Sequence, residues 1–282
     1  MIIEYKKLSY KKKVIFEKMT LRNFDRMAKV FDENEACFMY LQEGSFQFRT
    51  PERVIQFNVG DGLLAKCSNY FFEQTKAEHQ QITKSKGIGI YLYPEIIKEL
   101  FDFDLSVSDF ETDYDTTLIN VDALMENFIN GIDFLLENPS VSSDSMIKIK
   151  LKEFLLLLSK TENAPSLLDF VASLFKPYEY DFKQVIDQNI FSNLSTNELA
   201  SLCGMSISTF QRTFAKVFNQ TPAKYILEQR MLKAKRLLAN KNNRIVDIAY
   251  DCGYQSISTF NRLFKKSFDL SPSEFRLTKI EH

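Results

Sequence analysis

The sequence holds only two histidines, His79 and His282, and four cysteines, Cys37, Cys67, Cys203 and Cys252, none of them in a CxxC pair. So few histidines argue against a His-built metal site or a histidine-dependent triad. No catalytic residue, metal ligand or cofactor is expected, and the chain is read as no enzyme. Scattered cysteines fit buried thiols in a reducing compartment better than disulfides. No run approaches the roughly 18 apolar residues that a membrane span needs, and the lysine-rich start lacks an apolar signal core. A cytoplasmic protein without membrane contact is the expectation.

What is present points to a soluble globular chain. Its 282 residues are 45% hydrophobic and 26% charged, a length comfortable for two domains. The net charge of −1 hides an asymmetry. From Phe182 to His282 there are 15 Lys+Arg against 8 Asp+Glu, whereas the rest carries 21 against 29. A basic part beside an acidic part suggests one polyanion-binding domain and one with another task.

The basic part contains one unit written twice. Ser206-Ile-Ser-Thr-Phe-Gln-Arg-Thr-Phe-Ala-Lys-Val-Phe218 recurs as Ser256-Ile-Ser-Thr-Phe-Asn-Arg-Leu-Phe-Lys-Lys-Ser-Phe268, and 10 of 20 positions agree between Ser206–Tyr225 and Ser256–Phe275. Upstream, Leu199-Ala200 and Cys203-Gly204 match Ile248-Ala249 and Cys252-Gly253. Each copy reads as helix, turn, helix. Ser195 and Glu198 have capping-box spacing at the start of the first helix. Gly204 and Gly253 stand where that helix must stop. In the second helix Phe210, Phe214, Val217 and Phe218 form a core stripe, repeated by Phe260, Phe264 and Phe268.

The opposite face then carries Ser208, Gln211, Arg212 and Ala215 in one copy, and Ser258, Asn261, Arg262 and Lys265 in the other. Gln, Asn and Arg can make paired hydrogen bonds to purine edges in the major groove. Lys216, Lys265 and Lys266 suit phosphates, and Thr209 and Thr259 complete the candidate set. A single amphipathic helix with cations outside is usually just solvated; the same polar pattern at paired positions in two copies favours DNA. Between the copies, Thr221 is a candidate N-cap and Pro222 a first helical residue. The helix to about Asn240 would be a rod of roughly 27 Å. Such a spacer could set two recognition helices near the ~34 Å separation of successive major grooves.

These residues resemble a known family. Leu199-Ala200, Cys203-Gly204, Ser208, Phe210, Arg212, Phe214, Thr221-Pro222, Arg230, Ala234 and Leu237-Leu238 carry the resemblance in the first half. Ile245, Ile248-Ala249, Gly253-Tyr254, Phe260, Arg262, Phe264-Lys265, Phe268, Ser271-Pro272 and Phe275-Arg276 carry it in the second. The region Asp187–Glu281 is similar to the DNA-binding domain of the AraC/XylS family of bacterial transcription regulators. The resemblance implies base contact by Ser208, Gln211 and Arg212 and by Ser258, Asn261 and Arg262. It also implies promoter DNA and RNA polymerase as partners, with activation as the expected sign. One departure is Arg244, standing where the first copy has Ser195; Asn243 is the alternative cap.

The N-terminal part reads as strands to about Tyr93. Ala36–Phe48 gives two strands about a turn at Glu43-Gly44, and Arg53–Leu64 gives two about Gly60-Asp61-Gly62. The pattern looks like the cupin-type barrel of family sensor domains. Phe38, Tyr40, Phe46, Phe48, Phe57, Tyr70, Phe71 and Phe72 could line a pocket or fill the interior, filling being favoured. Leu118–Glu137, Ser145–Ser159 and Ser166–Phe175 read as helices, broken by Asn138-Pro139 and Asn163-Ala164-Pro165. In related proteins helices at this position pack subunits together, so Leu151, Phe154, Leu155 and Leu158 are candidates for a homodimer face, with intramolecular core as the favoured alternative.

The expected architecture is α+β. Residues 1–175 form a cupin-like sensor and dimerisation domain, with the barrel to about 100 and helices over about 117–175. Residues 176–185 are the linker, and 186–282 the double helix-turn-helix domain. The effector, a small molecule or a regulatory protein, stays open. A cupin-fold enzyme fused to a DNA-binding tail is the alternative, which stoichiometric metal in purified protein would favour.

Overall fold

Two long strands open the chain, β1 (Ile2–Tyr10) and β2 (Lys13–Arg22), paired antiparallel across a tight turn. Both turn residues, Lys11 and Lys12, have positive φ (48° and 66°), as the hairpin turns that match strand twist require. The computed structural model describes residues 2–29, 35–66, 70–74, 84–112, 114–161, 166–176, 180–240 and 242–278. The chain divides into two compact units, Met1–Glu179 and Tyr180–His282.

In the first unit follow β3 (Arg26–Lys29), β4 (Ala36–Glu43), β5 (Ser45–Arg49), β6 (Val54–Asn58), β7 (Gly62–Ala65), β8 (Tyr70–Glu73) and β9 (Lys84–Leu92). After α1 (Pro94–Phe101) comes β10 (Thr116–Ile119). Three helices end the unit: α2 (Ala123–Glu137), α3 (Asp144–Leu158) and α4 (Leu167–Leu174). The strands form two antiparallel sheets, ordered β1-β2-β9-β4-β7-β10 and β3-β8-β5-β6. The expected α+β, strand-rich half is present, but the sheets do not close into one barrel.

The two glycine turns explain why. Glu43-Gly44 joins β4 in one sheet to β5 in the other, and the segment Val59–Asp61 likewise joins β6 to β7. Each is a corner between sheets, where sequence spacing alone suggested a turn between sequential strands. Gly44 has φ +90°, and a Cβ there would lie 2.4 Å from the Lys84 carbonyl oxygen, so only glycine lets the chain turn so close to a neighbouring backbone.

The helix expected from Leu118 starts later. Thr116–Ile119 pairs with β7 as an edge strand, because its β-branched residues find a free ladder there. The helix begins after Asp122, whose carboxylate accepts the Met125 N–H at 2.9 Å. Ser143 and Ser166 cap α3 and α4 in the same way. The expected break at 163–165 lies outside the described residues, as do 177–179 of the expected linker; α5 starts inside that linker stretch, at Phe182.

Helices α2 and α3 cover the outer face of the larger sheet. Phe154 packs on Phe38 (5.2 Å between ring centres) and Phe128 (5.6 Å). Among these apolar side chains lies Lys18, 3% exposed, whose ammonium donates to Asp133 and, at 2.6 Å, to Glu137. Burial alone would lower its pKa, yet the two carboxylates more than offset this and hold it above the ordinary lysine value.

The carboxylates respond in the opposite sense. Glu137, hydrogen-bonded by Lys18 and Lys6, is pulled down to about 2, and so is Glu99, bound by Lys11 (2.7 Å) and Tyr10 (2.5 Å). A carboxylate depressed in the folded state stabilises above its unfolded pKa of about 4.3, and that contribution is lost as pH falls toward the folded value. The melting temperature of the strand-rich unit is therefore expected to fall between about pH 4 and pH 2. Lys6→Ala with Lys11→Ala should flatten that limb in a pH series of thermal melts.

The second unit is all helical: α5 (Phe182–Asn189), α6 (Thr196–Leu202), α7 (Ile207–Phe218), α8 (Pro222–Leu238), α9 (Ile245–Asp251), α10 (Ile257–Phe268) and α11 (Pro272–Thr278). Among the described cysteines, Cys37 and Cys252 are buried and Cys203 half-buried, all free thiols. Burial pushes the Cys203 thiol up to about 12 and Cys252 to about 11, which leaves them unreactive. Cys67 and both histidines lie outside the described residues.

Candidate nucleic-acid interface

Each copy of the repeat folds around its phenylalanines. In α7, Phe210 and Phe214 are fully buried, and the ring contacts run Phe210–Phe214 (5.6 Å), Phe214–Phe218 (4.5 Å) and Phe218–Tyr225 (4.4 Å). In α10 the same ladder runs Phe260–Phe264 (5.8 Å), Phe264–Phe268 (4.7 Å) and Phe268–Phe275 (6.0 Å). Phe182 of α5 adds a further ring to the first ladder, 5.6 Å from Phe210. Both helices end on a left-handed residue, Asn219 and Asp269, whose N–H returns to the carbonyl four residues back.

Burial of one face dictates what the other presents. Ser208, Gln211, Arg212, Ala215 and Lys216 are exposed on α7; Ser258, Thr259, Asn261, Arg262, Lys265 and Lys266 are exposed on α10. Thr209 is half-buried and stands off this face. No hydrogen bond or ion pair within the described residues engages Gln211, Arg212, Lys216, Asn261, Arg262 or Lys266. The copies differ at the cap: Ser206 accepts the Thr209 N–H and its hydroxyl joins those of Ser208 and Thr209, whereas Ser256 makes no side-chain cap bond. Neither helix has an acidic residue in its first turn, so nothing there repels a phosphate.

The arginines divide by task. Arg230, one of the motif residues, points inward: Nε donates to the Ile190 carbonyl at 2.8 Å, one terminal nitrogen to Gly253 at 3.2 Å, and the other to Ser192. Burial lowers its pKa somewhat, but a guanidinium stays charged, so it ties α8 to the 190–192 segment and to the turn at Gly253. Arg276 likewise donates to the Asn243 carbonyl at 2.7 Å. Arg212 and Arg262 hold the equivalent outward positions.

Of three local capping expectations one holds and two do not. Ser195 and Glu198 form the full capping box on α6. On α9, Arg244 occupies the N-cap position without capping and pairs with Asp247 at 2.8 Å, while Asn243 bonds back to Leu237 at the end of α8. Asn243 is thus no cap for α9, since the α8 terminus claims its amide first. Thr221 sits at the N-cap of α8 but makes no cap bond; Pro222 sets the start instead.

Sequence reasoning missed Ile207 and Ile257. Each is the first residue of its helix, and each is 39% exposed. Their spacing of three from Phe210 and Phe260 reads as core, but the first turn projects past the packed ladder. Their identity in both copies was the available signal. In the first unit, Leu151, Phe154, Leu155 and Leu158 are at most 1% exposed and belong to the interior of their own unit. The large apolar residues exposed on α2 and α3 are Leu124, Phe134, Met146, Ile149 and Leu156.

Residues 199–278 match the Helix-turn-helix domain family, and residues 36–170 match the ExsA N-terminal regulatory domain. The chain belongs to the AraC/XylS family of bacterial transcription regulators. As an AraC/XylS regulator it is a DNA-binding protein with an N-terminal regulatory domain. It is similar to the virulence regulon transcriptional activator VirF of Yersinia enterocolitica, at 24% identity over 89% of this chain and 93% of that protein. It is also similar to the thermoregulatory protein LcrF of Yersinia pestis, at 28% identity over the same shares. Among solved structures, an AraC-type transcriptional regulator from Chromobacterium violaceum is 31% identical over 35% of this chain and 88% of that one, with a TM-score of 0.31. Among the described residues no helix is long and apolar enough to cross a membrane.

Proposed function

We propose that the chain activates transcription from promoter DNA in the cytoplasm, with α7 and α10 of one subunit entering successive major grooves. The observation that carries this reading is the pair of equivalent helix faces, each with its amide and guanidinium exposed and unengaged. Gln211 and Arg212 read bases in one half-site, Asn261 and Arg262 in the other; Lys216, Lys265 and Lys266 meet phosphates. Ile207 and Ile257 offer methyl groups to thymine. The 17 residues of α8, about 25 Å at 1.5 Å each, support a fixed spacing between them. RNA polymerase is the partner that activation requires, and the name of the Yersinia enterocolitica relative, a transcriptional activator, supports that sign. A promoter-binding titration should fall steeply with salt on logarithmic axes; a flat response would sink the reading.

The N-terminal unit is the regulatory half, answering to a small molecule or a protein, and it joins two copies. The dimer face we assign is built from the exposed apolar residues of α2 and α3, Leu124, Phe134, Met146, Ile149 and Leu156, in place of the buried set. Phe134→Glu with Ile149→Glu should convert a dimer to a monomer in sedimentation without changing the circular dichroism spectrum. Phe154→Glu should unfold the unit instead, because it puts an unpaired charge among packed rings.

A further inference from the structure

Between the two sheets of the N-terminal unit lies an apolar cavity of about 90 Å3. Met19, Met39 and Leu41 line it from the larger sheet, and Phe46, Phe57 and Phe72 from the smaller. The rings of Phe46 and Phe57 stand edge to face at 5.2 Å, and those of Phe46 and Phe72 at 5.4 Å. One carboxylate belongs to this wall. Glu17 is 8% exposed and lies over Gly89, where a Cβ would come within 3.1 Å of its Cγ.

Among the described residues Glu17 has only neutral partners. Its Oε2 accepts the Tyr5 hydroxyl at 3.0 Å, and its Oε1 accepts the Tyr91 hydroxyl. Burial, and then the charge of Glu17, push Tyr5 up to about 12 and Tyr91 well above the ordinary phenol value, so both stay protonated donors. Among the described residues no cation stands within ion-pair distance of Glu17. Its neighbour Lys18 points to the opposite face, where Asp133 and Glu137 take it. Lys86 borders the cavity, but its register with Thr20 puts it on that opposite side, and its amine interacts with Lys18 and Asp133. A buried carboxylate without a counter-charge is costly, and here it faces open space.

We propose that this cavity binds a small apolar primary amine, with the ammonium on Glu17 and the carbon skeleton among the methionines and phenylalanines. Thioethers adapt to irregular apolar shapes, and aromatic faces attract cations, so the lining suits an arylalkyl or alkyl ammonium. As an effector site it rests on the regulatory reading of this unit above; the binding itself does not. A carboxylate ligand would meet Glu17 with like charge, and a neutral one would leave that charge unanswered.

The sequence has no tryptophan, so Phe57→Trp gives the full-length chain a single indole in the cavity wall. Phenethylammonium, hydrocinnamate and phenethyl alcohol are then titrated at neutral pH, by indole emission and by calorimetry on the unaltered protein. The amine should shift the emission and bind about tenfold or more tightly than either other probe. Glu17→Gln should cost the amine about tenfold and leave the alcohol unchanged. Equal affinities, or no binding of the amine to the unaltered protein, overturn the site; the unaltered protein decides if Glu17→Gln does not fold. Amine binding that leaves promoter affinity unchanged keeps the site and overturns its effector role.

Discussion

Replacing Gly253 by alanine is expected to destabilise the C-terminal unit by about 3 kcal/mol or more. Gly253 has φ +81°, and an added Cβ would lie 2.5 Å from the Phe191 carbonyl oxygen and 3.1 Å from the Arg230 guanidinium carbon. The left-handed backbone alone costs a residue with a Cβ about 1–2 kcal/mol. The collision adds to it, because the obstacle is backbone and cannot swing away. Any shift that relieves it also moves the Gly253 carbonyl out of the Arg230 fork. Arg230→Ala strips charge-assisted bonds from three carbonyls at once, a loss of about 2–4 kcal/mol. Because both changes damage one node, the double variant should lose less than the sum. Hydrogen exchange of amides in α8, α9 and α10 of the full-length chain reads this unit separately from the strand-rich one. Fully additive losses would show that the turn and the arginine act independently.

Arg262→Ala should weaken specific DNA binding by about 1–3 kcal/mol and relax base preference at one position, as Arg212→Ala should at a different one. The helices are alike in fold but not in surface: Gln211 corresponds to Asn261, and Ala215 to Lys265. Lys265→Ala should therefore also lower the salt slope by about 1, a change for which the first copy offers no counterpart. Binding profiles on a randomised site, at two salt concentrations, measure all three effects. If both arginine variants relaxed the same base position, the two faces would not be reading separate half-sites. A subunit with two unlike faces in fixed order is expected to read a directional site, not a palindrome.

The C-terminal unit was legible because its two copies could be compared. Positions such as Phe214 and Phe264 agree because each fold needs them, and Arg212 and Arg262 agree although neither ladder does. The periodicity that exposed this pattern also concealed Ile207 and Ile257, since a spacing of three reads as core until the ladder is seen to end before the first turn. The N-terminal unit was legible by strand but not by pairing. Gly44 and Gly60 mark turns in the sequence, yet nothing local says whether a turn returns a strand to its neighbour or hands it to another sheet.

The sequence by itself determined the repeat, the apolar stripe of α7 and of α10 and the residues set opposite it, because helix periodicity is local. Tertiary structure alone decided which groups are spoken for. Arg230 and Arg262 are the same residue type in one basic unit, but three carbonyls from two segments remote in sequence claim the first, and among the described residues none claims the second. Leu151 and Phe154 look like Ile149 and Leu156 in the sequence, and only packing on the sheet buries the first pair and leaves the second outside. Contacts between residues far apart in the chain make that choice, and no local pattern records them.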